Sequence, residues 1–204
     1  AEILDESLTL IKATTPSSIK LVLNESGQAL PVRVSFTEIQ RVIINLCTNA
    51  VHAMDGEGEL RFDLSRFVVD LDEATSMINL SPGEYARLTV TDSGCGIDSA
   101  LTDRIFDPFF STKEAGKGSG LGLSVAYGII NSHGGAIDYS SAPGCGTEFR
   151  VYLPIANDSD SQHESDLGED DTKSRGIGRI LFVDDESILV NIAGEVLGSL
   201  GYSV

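Results

Sequence analysis

Tryptophan is absent from this chain of 204 residues, and all aromatics together make up 6% of it. Positive charge is scarce as well: 14 lysines and arginines face 31 aspartates and glutamates, for a net charge of −17. That balance excludes nucleic acid and anionic membrane surfaces as default partners, because both are held by a basic face. No apolar run approaches the roughly 18 residues that a membrane helix requires, and no signal peptide opens the chain. Only three cysteines occur, Cys47, Cys95 and Cys145, with no C-x-x-C spacing. An odd, widely spaced set argues against a disulfide framework or a zinc site and fits a reducing compartment. A cytoplasmic location is therefore expected, with any membrane anchor belonging to a longer protein. The opening AEILDESLTLIK has the style of a segment cut from something longer.

What is present suffices for a folded domain. Hydrophobic residues are 41%, and the length fits one domain plus a fragment. Residues 2–13 carry Ile3, Leu4, Leu8 and Ile11 at helical spacing. IKLVLNE (19–25) and PVRVS (31–35) read as the two strands of a short hairpin. A long helix starts at Thr37, runs through about Met54 and stops at the turn DGEG (55–58). LRFDLSRFVVDL (60–71) and YARLTVTD (85–92) read as strands, separated by a polar excursion and the turn Ser81-Pro82-Gly83. Residues 98–105 hold one or two helical turns. An apolar helix spans 121–132, with Gly134-Gly135 beyond its C-terminus. AIDYSS (136–141) and TEFRVYLP (147–154) read as a closing hairpin.

The composition then shifts. NDSDSQHESDLGEDDTKSRG (157–176) holds seven acidic and two basic residues and no aromatics, the make-up of a solvated linker. After it, RILFVDDESILVNIAGEVLGSLGYSV (179–204) reads as a strand ending in Asp184-Asp185, an amphipathic helix and the start of another strand. So short a β-α unit cannot bury a doubly wound core by itself.

Chemistry concentrates in the first part. In FTEIQRVIINLCTNAVHAM (36–54), Glu38, Asn45, Asn49 and His52 fall within roughly 40° of one line at about 100° per residue. Apolar residues cover most of the remaining circumference. Buried amides need partners, so this stripe faces a polar network, a cavity or solvent. An Asn oxygen is a hard ligand suited to Mg²⁺ beside phosphates. DSGCGI (92–97) follows a strand, and its glycines let the backbone pass close to a flat ligand, while Asp92 can accept from an exocyclic amine. FDPFFSTK (106–113) is an aromatic knot read as a hinge. GCGT (144–147) precedes the last strand.

Between them stands GKGSGLGLS (116–124). It is not a P-loop, because Gly118 follows Gly116-Lys117 where a hydroxyl is required. Nor is it a dinucleotide turn, because its glycines are spaced two and two and no strand leads in. A glycine loop running into a helix start remains, which is a ready anion site.

In this order the segments resemble the ATP-binding domain of sensor histidine kinases, in the gyrase/histidine-kinase ATPase superfamily. IINLCTNAVHA (43–53) matches the N box, and DSGCGI the first glycine box. FDPFFSTK matches the F box, GSGLGL (118–123) the second glycine box and GCGT the third. The resemblance covers residues 1–155. It implies a two-layer α/β sandwich, with a mixed sheet and three helices on one face. It implies ATP and Mg²⁺ as ligands, with Asn45 and Asn49 as catalytic positions and Asn49 holding the metal. Asp92 takes the adenine-binding position, with Gly94, Gly96 and Ile97 beside the ring and Thr147 behind it. Lys113, Lys117, Gly118, Ser119, Gly120, Leu121, Gly122 and Leu123 fall on the phosphate lid, so Lys117 is expected to be poorly ordered without nucleotide. His52 stands where many members carry a basic residue, although its ordinary pKa of about 6.5 makes it a weaker cation at neutral pH.

The tail is similar to the start of a response-regulator receiver domain, with Asp184 and Asp185 as the Mg²⁺-binding pair and the phosphoryl-accepting Asp beyond residue 204. The implied order is an ATP-binding domain (1–155), an acidic linker (156–178) and a receiver start (179–204), a truncated hybrid histidine kinase. Its expected reaction is transfer of the γ-phosphoryl group of Mg-ATP to a histidine. His52, His133 and His163 all lack an acidic-flanked acceptor motif, which puts the acceptor on a dimerisation hairpin outside the chain. The longer protein is expected to be a homodimer that works with a receiver or response regulator, and this fragment a monomer. The alternative is an ATP-hydrolysing switch of the gyrase or mismatch-repair type. That chemistry needs a Glu base where Asn45 stands. A nucleotide binder without catalysis is a third reading, and the intact glycine boxes weigh against it.

Overall fold

A five-stranded mixed sheet forms the platform, in the order β1-β2-β3-β5-β4. The strands are β1 (Ile19–Glu25), β2 (Gly58–Val69), β3 (Gly83–Asp92), β4 (Ala136–Ser141) and β5 (Thr147–Pro154). The helices are α1 (Glu2–Thr14), α2 (Phe36–Ala53) and α3 (Gly122–Ser132), with a 3₁₀ segment at Ser99–Arg104. This computed structural model describes residues 2–25, 27, 29–70, 80–111, 120–156, 178–181, 197 and 201–202. The chain divides into two compact units, residues 1–156 and 157–204. In the second unit, the Tyr202 N–H donates to the Leu197 carbonyl at 3.1 Å. Asp184 and Asp185 lie outside the described residues. Among the described residues, no helix is long and apolar enough to cross a membrane.

Strand alternation explains the two faces of the sheet. Leu60, Phe62, Val90, Ile137, Phe149 and Val151 point to one side, into a core shared with Leu4 and Leu8 of α1, Ile43 and Leu46 of α2, and Ala126 and Ile130 of α3. The opposite face carries a smaller cluster of Val69, Leu80, Tyr85, Ala136 and Tyr152. The three helices therefore share one layer over the sheet, as the resemblance implied. Ile130 is fully buried. Its truncation in Ile130→Val should cost about 1 kcal/mol of unfolding free energy. Urea denaturation of the two proteins measures that difference.

One sequence expectation fails. Residues 19–25 and 31–35 do not form a hairpin. β1 instead pairs parallel with β2, in the register Ile19↔Gly58 to Glu25↔Leu64. Parallel neighbours need a crossover, and α2 supplies it. To the sheet the 31–35 segment adds a bridge from Val32 to Ile155 in place of a strand, supported by the Ala156 N–H donating to the Pro31 carbonyl at 2.8 Å. The closing hairpin is present, with β4 and β5 antiparallel.

α2 and α3 are also tied at the ends of α2 and α3 where His133 and Ser35 meet. The Ser35 N–H, at the N-cap of α2, donates to His133 Nε2 at 3.1 Å. His133 Nδ1 lies 2.8 Å from the Ile129 carbonyl. With Nε2 accepting, the proton sits on Nδ1, and the ring bridges two helix ends. Glu38, on the polar stripe of α2, faces this histidine at 3.5 Å.

Candidate active site

α2 buries Ile39, Val42, Ile43, Leu46, Cys47 and Ala50 against the core. Its polar stripe is thereby turned away from the sheet, and Asn45, Asn49 and His52 line a cavity of about 650 Å³. That volume suits a small-molecule ligand. Asp92, Gly96 and Ile97 at the end of β3, Phe110, Gly120, Gly122 and Leu123 before and on α3, and Thr147 and Phe149 of β5 complete much of the lining. On the core side of α2, burial pushes the Cys47 thiol up to about 12, which keeps it protonated and inert.

Asp92 is the electrostatic feature of the cavity. Only 6% of it is exposed. Burial raises its pKa above the ordinary carboxylate value, and hydrogen bonds from two backbone groups oppose that rise. Both reach the same oxygen: Oδ1 accepts from the Gly94 N–H at 2.8 Å and the Thr147 N–H at 3.3 Å. Among the described residues, both of these bonds fall on Oδ1, which leaves Oδ2 as an acceptor for a ligand N–H donor.

Close backbone packing holds this end of the cavity. Gly96 and Gly146 have φ of 70° and 77°. A Cβ on Gly96 would sit 2.0 Å from the Ala142 carbonyl oxygen, and one on Gly146 would sit 2.0 Å from that of Asp92. Ser141 joins the two segments. Its Oγ accepts from the Ile97 N–H at 2.8 Å, donates to the Gly146 carbonyl at 2.9 Å and lies 3.0 Å from Thr147 Oγ1. Thr147 itself is 4% exposed. Removing the hydroxyl in Ser141→Ala strands the Ile97 N–H, so thermal unfolding should show a loss of about 1–2 kcal/mol.

At the other end, Asn45 Nδ2 donates to the Gly122 carbonyl at 3.1 Å. That bond fixes the first residue of α3 against α2. Nearby, a Cβ on Gly120 would lie 2.4 Å from the Phe109 carbonyl carbon.

The geometry is thus a polar helix stripe, a buried carboxylate between two glycine turns and a helix start. A family model described as histidine kinase-, DNA gyrase B-, and HSP90-like ATPase matches residues 35–157. The chain belongs to that family. The sensor kinase CckA of Brucella abortus is 32% identical over 210 residues, covering 100% of this chain and 22% of the relative. The signal transduction histidine-protein kinase AtoS of Escherichia coli is 32% identical over 154 residues, covering 75% of this chain and 23% of the relative. The catalytic domain of histidine kinase ThkA, a solved nucleotide-free structure, superposes with a TM-score of 0.61 at 28% identity, covering 76% of this chain and 91% of that one. The chain spans less than a quarter of the length of CckA and AtoS.

In this ATPase domain the fold brings Asn45, Asn49, His52, Asp92, Gly96, Ile97, Gly120, Gly122, Leu123 and Thr147 to one cavity. Gly94, whose N–H holds Asp92, also packs on α2: a Cβ there would lie 2.7 Å from the Ala53 carbonyl oxygen, and the Cys95 N–H donates to that oxygen at 3.0 Å. It lets the loop rest on the end of α2. Leu121 is the N-cap of α3 rather than a lining residue. Lys113, Lys117, Gly118 and Ser119 lie outside the described residues, and with them the expected disorder of Lys117.

The rings of the F box diverge. Phe110 lines the cavity. Phe106 packs tilted against Tyr127 and edge-on against Tyr139, at 5.2 and 6.0 Å between centroids. Phe109 is 77% exposed with φ of 65°. Phe149 and Ser141 had no signal in the chain. Ser141 gains its role from standing opposite Thr147 in the β4–β5 register.

Proposed function

We propose that this ATPase domain binds Mg-ATP in the cavity and transfers the γ-phosphoryl group to a histidine on a dimerisation hairpin carried elsewhere in the protein. The observation that carries the reading is Asp92: a buried carboxylate anchored through Oδ1 and with Oδ2 unused suits the exocyclic amine of adenine. Asn49 would hold Mg²⁺, which neutralises charge on the phosphates as the phosphoryl group moves. His52 would stand at the phosphates. The protein's part is positioning, since α2 and α3 fix both sides of the phosphate end through Asn45.

The names of the relatives, a sensor kinase and a signal transduction histidine-protein kinase, support a signalling role; in our reading a homodimeric, membrane-anchored or cytoplasmic kinase hands the phosphoryl group to a response regulator. The alignment with CckA spans the whole chain. We read residues 156–178 as a linker and 179–204 as the start of a receiver domain, with Asp184 and Asp185 as metal ligands, on the acidic composition of the first and the strand ending in Asp184-Asp185 expected of the second.

Hydrolysis as a conformational switch is less well supported. Asn45 cannot serve as a base, and its amide already donates to Gly122. Glu38, the carboxylate on the same stripe, faces His133 instead of the cavity.

The test has two stages. Calorimetry should show Mg-ATP binding to the chain; a flat titration removes the nucleotide reading. Labelled ATP is then supplied with the histidine hairpin of the longer protein. Label on the hairpin histidine is the expected result. Phosphate release without it would favour the ATPase switch.

A further inference from the structure

We propose that Cys95 and Cys145 form a reversible disulfide that weakens nucleotide binding. Both thiols are exposed. They stand on two segments packed backbone against backbone. The Gly144 N–H donates to the Cys95 carbonyl at 2.7 Å. One step along, a Cβ on Gly96 would touch the Ala142 carbonyl oxygen at 2.0 Å, and one further, the Ile97 N–H meets Ser141 Oγ at 2.8 Å. Cys95 therefore faces the residue next to Cys145. Disulfides need Cα atoms within roughly 4.4–6.8 Å, a spacing that facing turns can reach. Gly144 and Gly146 flank Cys145, and a Cβ at Gly144 would meet nothing within 4 Å, so the turn has space to move on that side.

The pair sits on the recognition end of the cavity. Cys95 lines it. Asp92 precedes Cys95 by three residues, and Thr147 follows Cys145 by two. Drawing the two turns together displaces Ser141 from Ile97 and Gly146, the contacts that back Asp92 and Thr147. The consequence rests on the nucleotide reading above; the disulfide itself does not.

The chemistry requires a two-electron oxidant, here a hydroperoxide. One thiolate attacks the peroxide O–O bond, giving a sulfenic acid and, after protonation, water or an alcohol. The second thiol then attacks that sulfur, the S–S bond forms and water leaves. Two thiols lose two electrons and two protons in all. A dithiol reductant reverses the step by exchange. Cys47 is buried and held as a thiol, so it takes no part.

The experiment treats the whole chain with dilute hydrogen peroxide. Expected are the loss of two hydrogens by intact mass, a cross-linked peptide pair containing Cys95 and Cys145, and a Kd for Mg-ATP raised about tenfold and restored by dithiothreitol. Cys145→Ser should bind Mg-ATP as the unmodified chain does, and its affinity should resist peroxide. Oxidised protein that keeps both thiols free, or that cross-links them with unchanged Mg-ATP affinity, overturns the proposal. If neither the reduced nor the oxidised chain binds Mg-ATP yet the cross-link forms, the nucleotide reading has failed and the switch with it, while the disulfide stands.

Discussion

Asp92→Asn should lower Mg-ATP affinity at least a hundredfold while leaving the melting temperature unchanged or higher. An Asn at this position keeps its Oδ1 toward the Gly94 and Thr147 N–H groups. Its NH₂ then replaces Oδ2 and meets the adenine amine donor to donor. The loss of a charge-assisted bond together with an unmatched donor costs about 3 kcal/mol or more.

Stability responds differently. Burial raises the pKa of Asp92 above the ordinary carboxylate value. Between the unfolded and folded pKa values the native state binds more protons than the unfolded chain. Asp92 therefore costs stability as pH rises through that window, and the cost persists at neutral pH. A neutral Asn removes it. Calorimetric titration and thermal unfolding at pH 7 test both halves. The melting-temperature difference should shrink as pH falls through the ordinary carboxylate range. An Asp92→Asn protein that binds Mg-ATP normally would remove Asp92 from recognition.

Gly146→Ala should destabilise the domain by at least about 3 kcal/mol, while Gly144→Ala costs about 1 kcal/mol. The two glycines have nearly equal φ, 77° and 75°. Left-handed strain alone would treat them alike. Their surroundings differ: the Gly146 Cβ would lie 2.0 Å from the Asp92 carbonyl oxygen and 3.2 Å from Ser93 Cα, whereas the Gly144 Cβ would meet nothing within 4 Å. Relief of the first clash must separate the end of β5 from the end of β3, where the Asp92↔Thr147 pair closes the ladder. The alanine at 146 should thus lose Mg-ATP binding as well as stability. Urea denaturation of both variants supplies the comparison, and equal losses would show that backbone strain alone governs this turn.

The chain itself determined much of the site. Asn45, Asn49 and His52 were legible because helical periodicity is local: the angle between side chains follows from sequence spacing alone. The glycine boxes and Asp92 were legible for the same reason, since a strand end followed by glycines marks a close approach within a few residues. The strand pairing was not local. The 19–25 and 31–35 segments are near in sequence and carry hairpin-like alternation, yet β1 pairs across α2 with β2. Alternation says which face a residue takes and nothing about which neighbour it finds.

Only the tertiary structure decided the finer roles. It rested Gly94 on the end of α2, set Ser141 opposite Thr147, turned Glu38 to His133, and tied Asn45 to the start of α3. It also brought Cys95 beside the turn of Cys145, although 50 positions separate them in the chain. Apart from the Ser141–Thr147 pair, which closes a short hairpin, each of these depends on a contact between segments remote in sequence. Such contacts are fixed when the sheet closes and the core packs, and no residue carries a record of its distant partner.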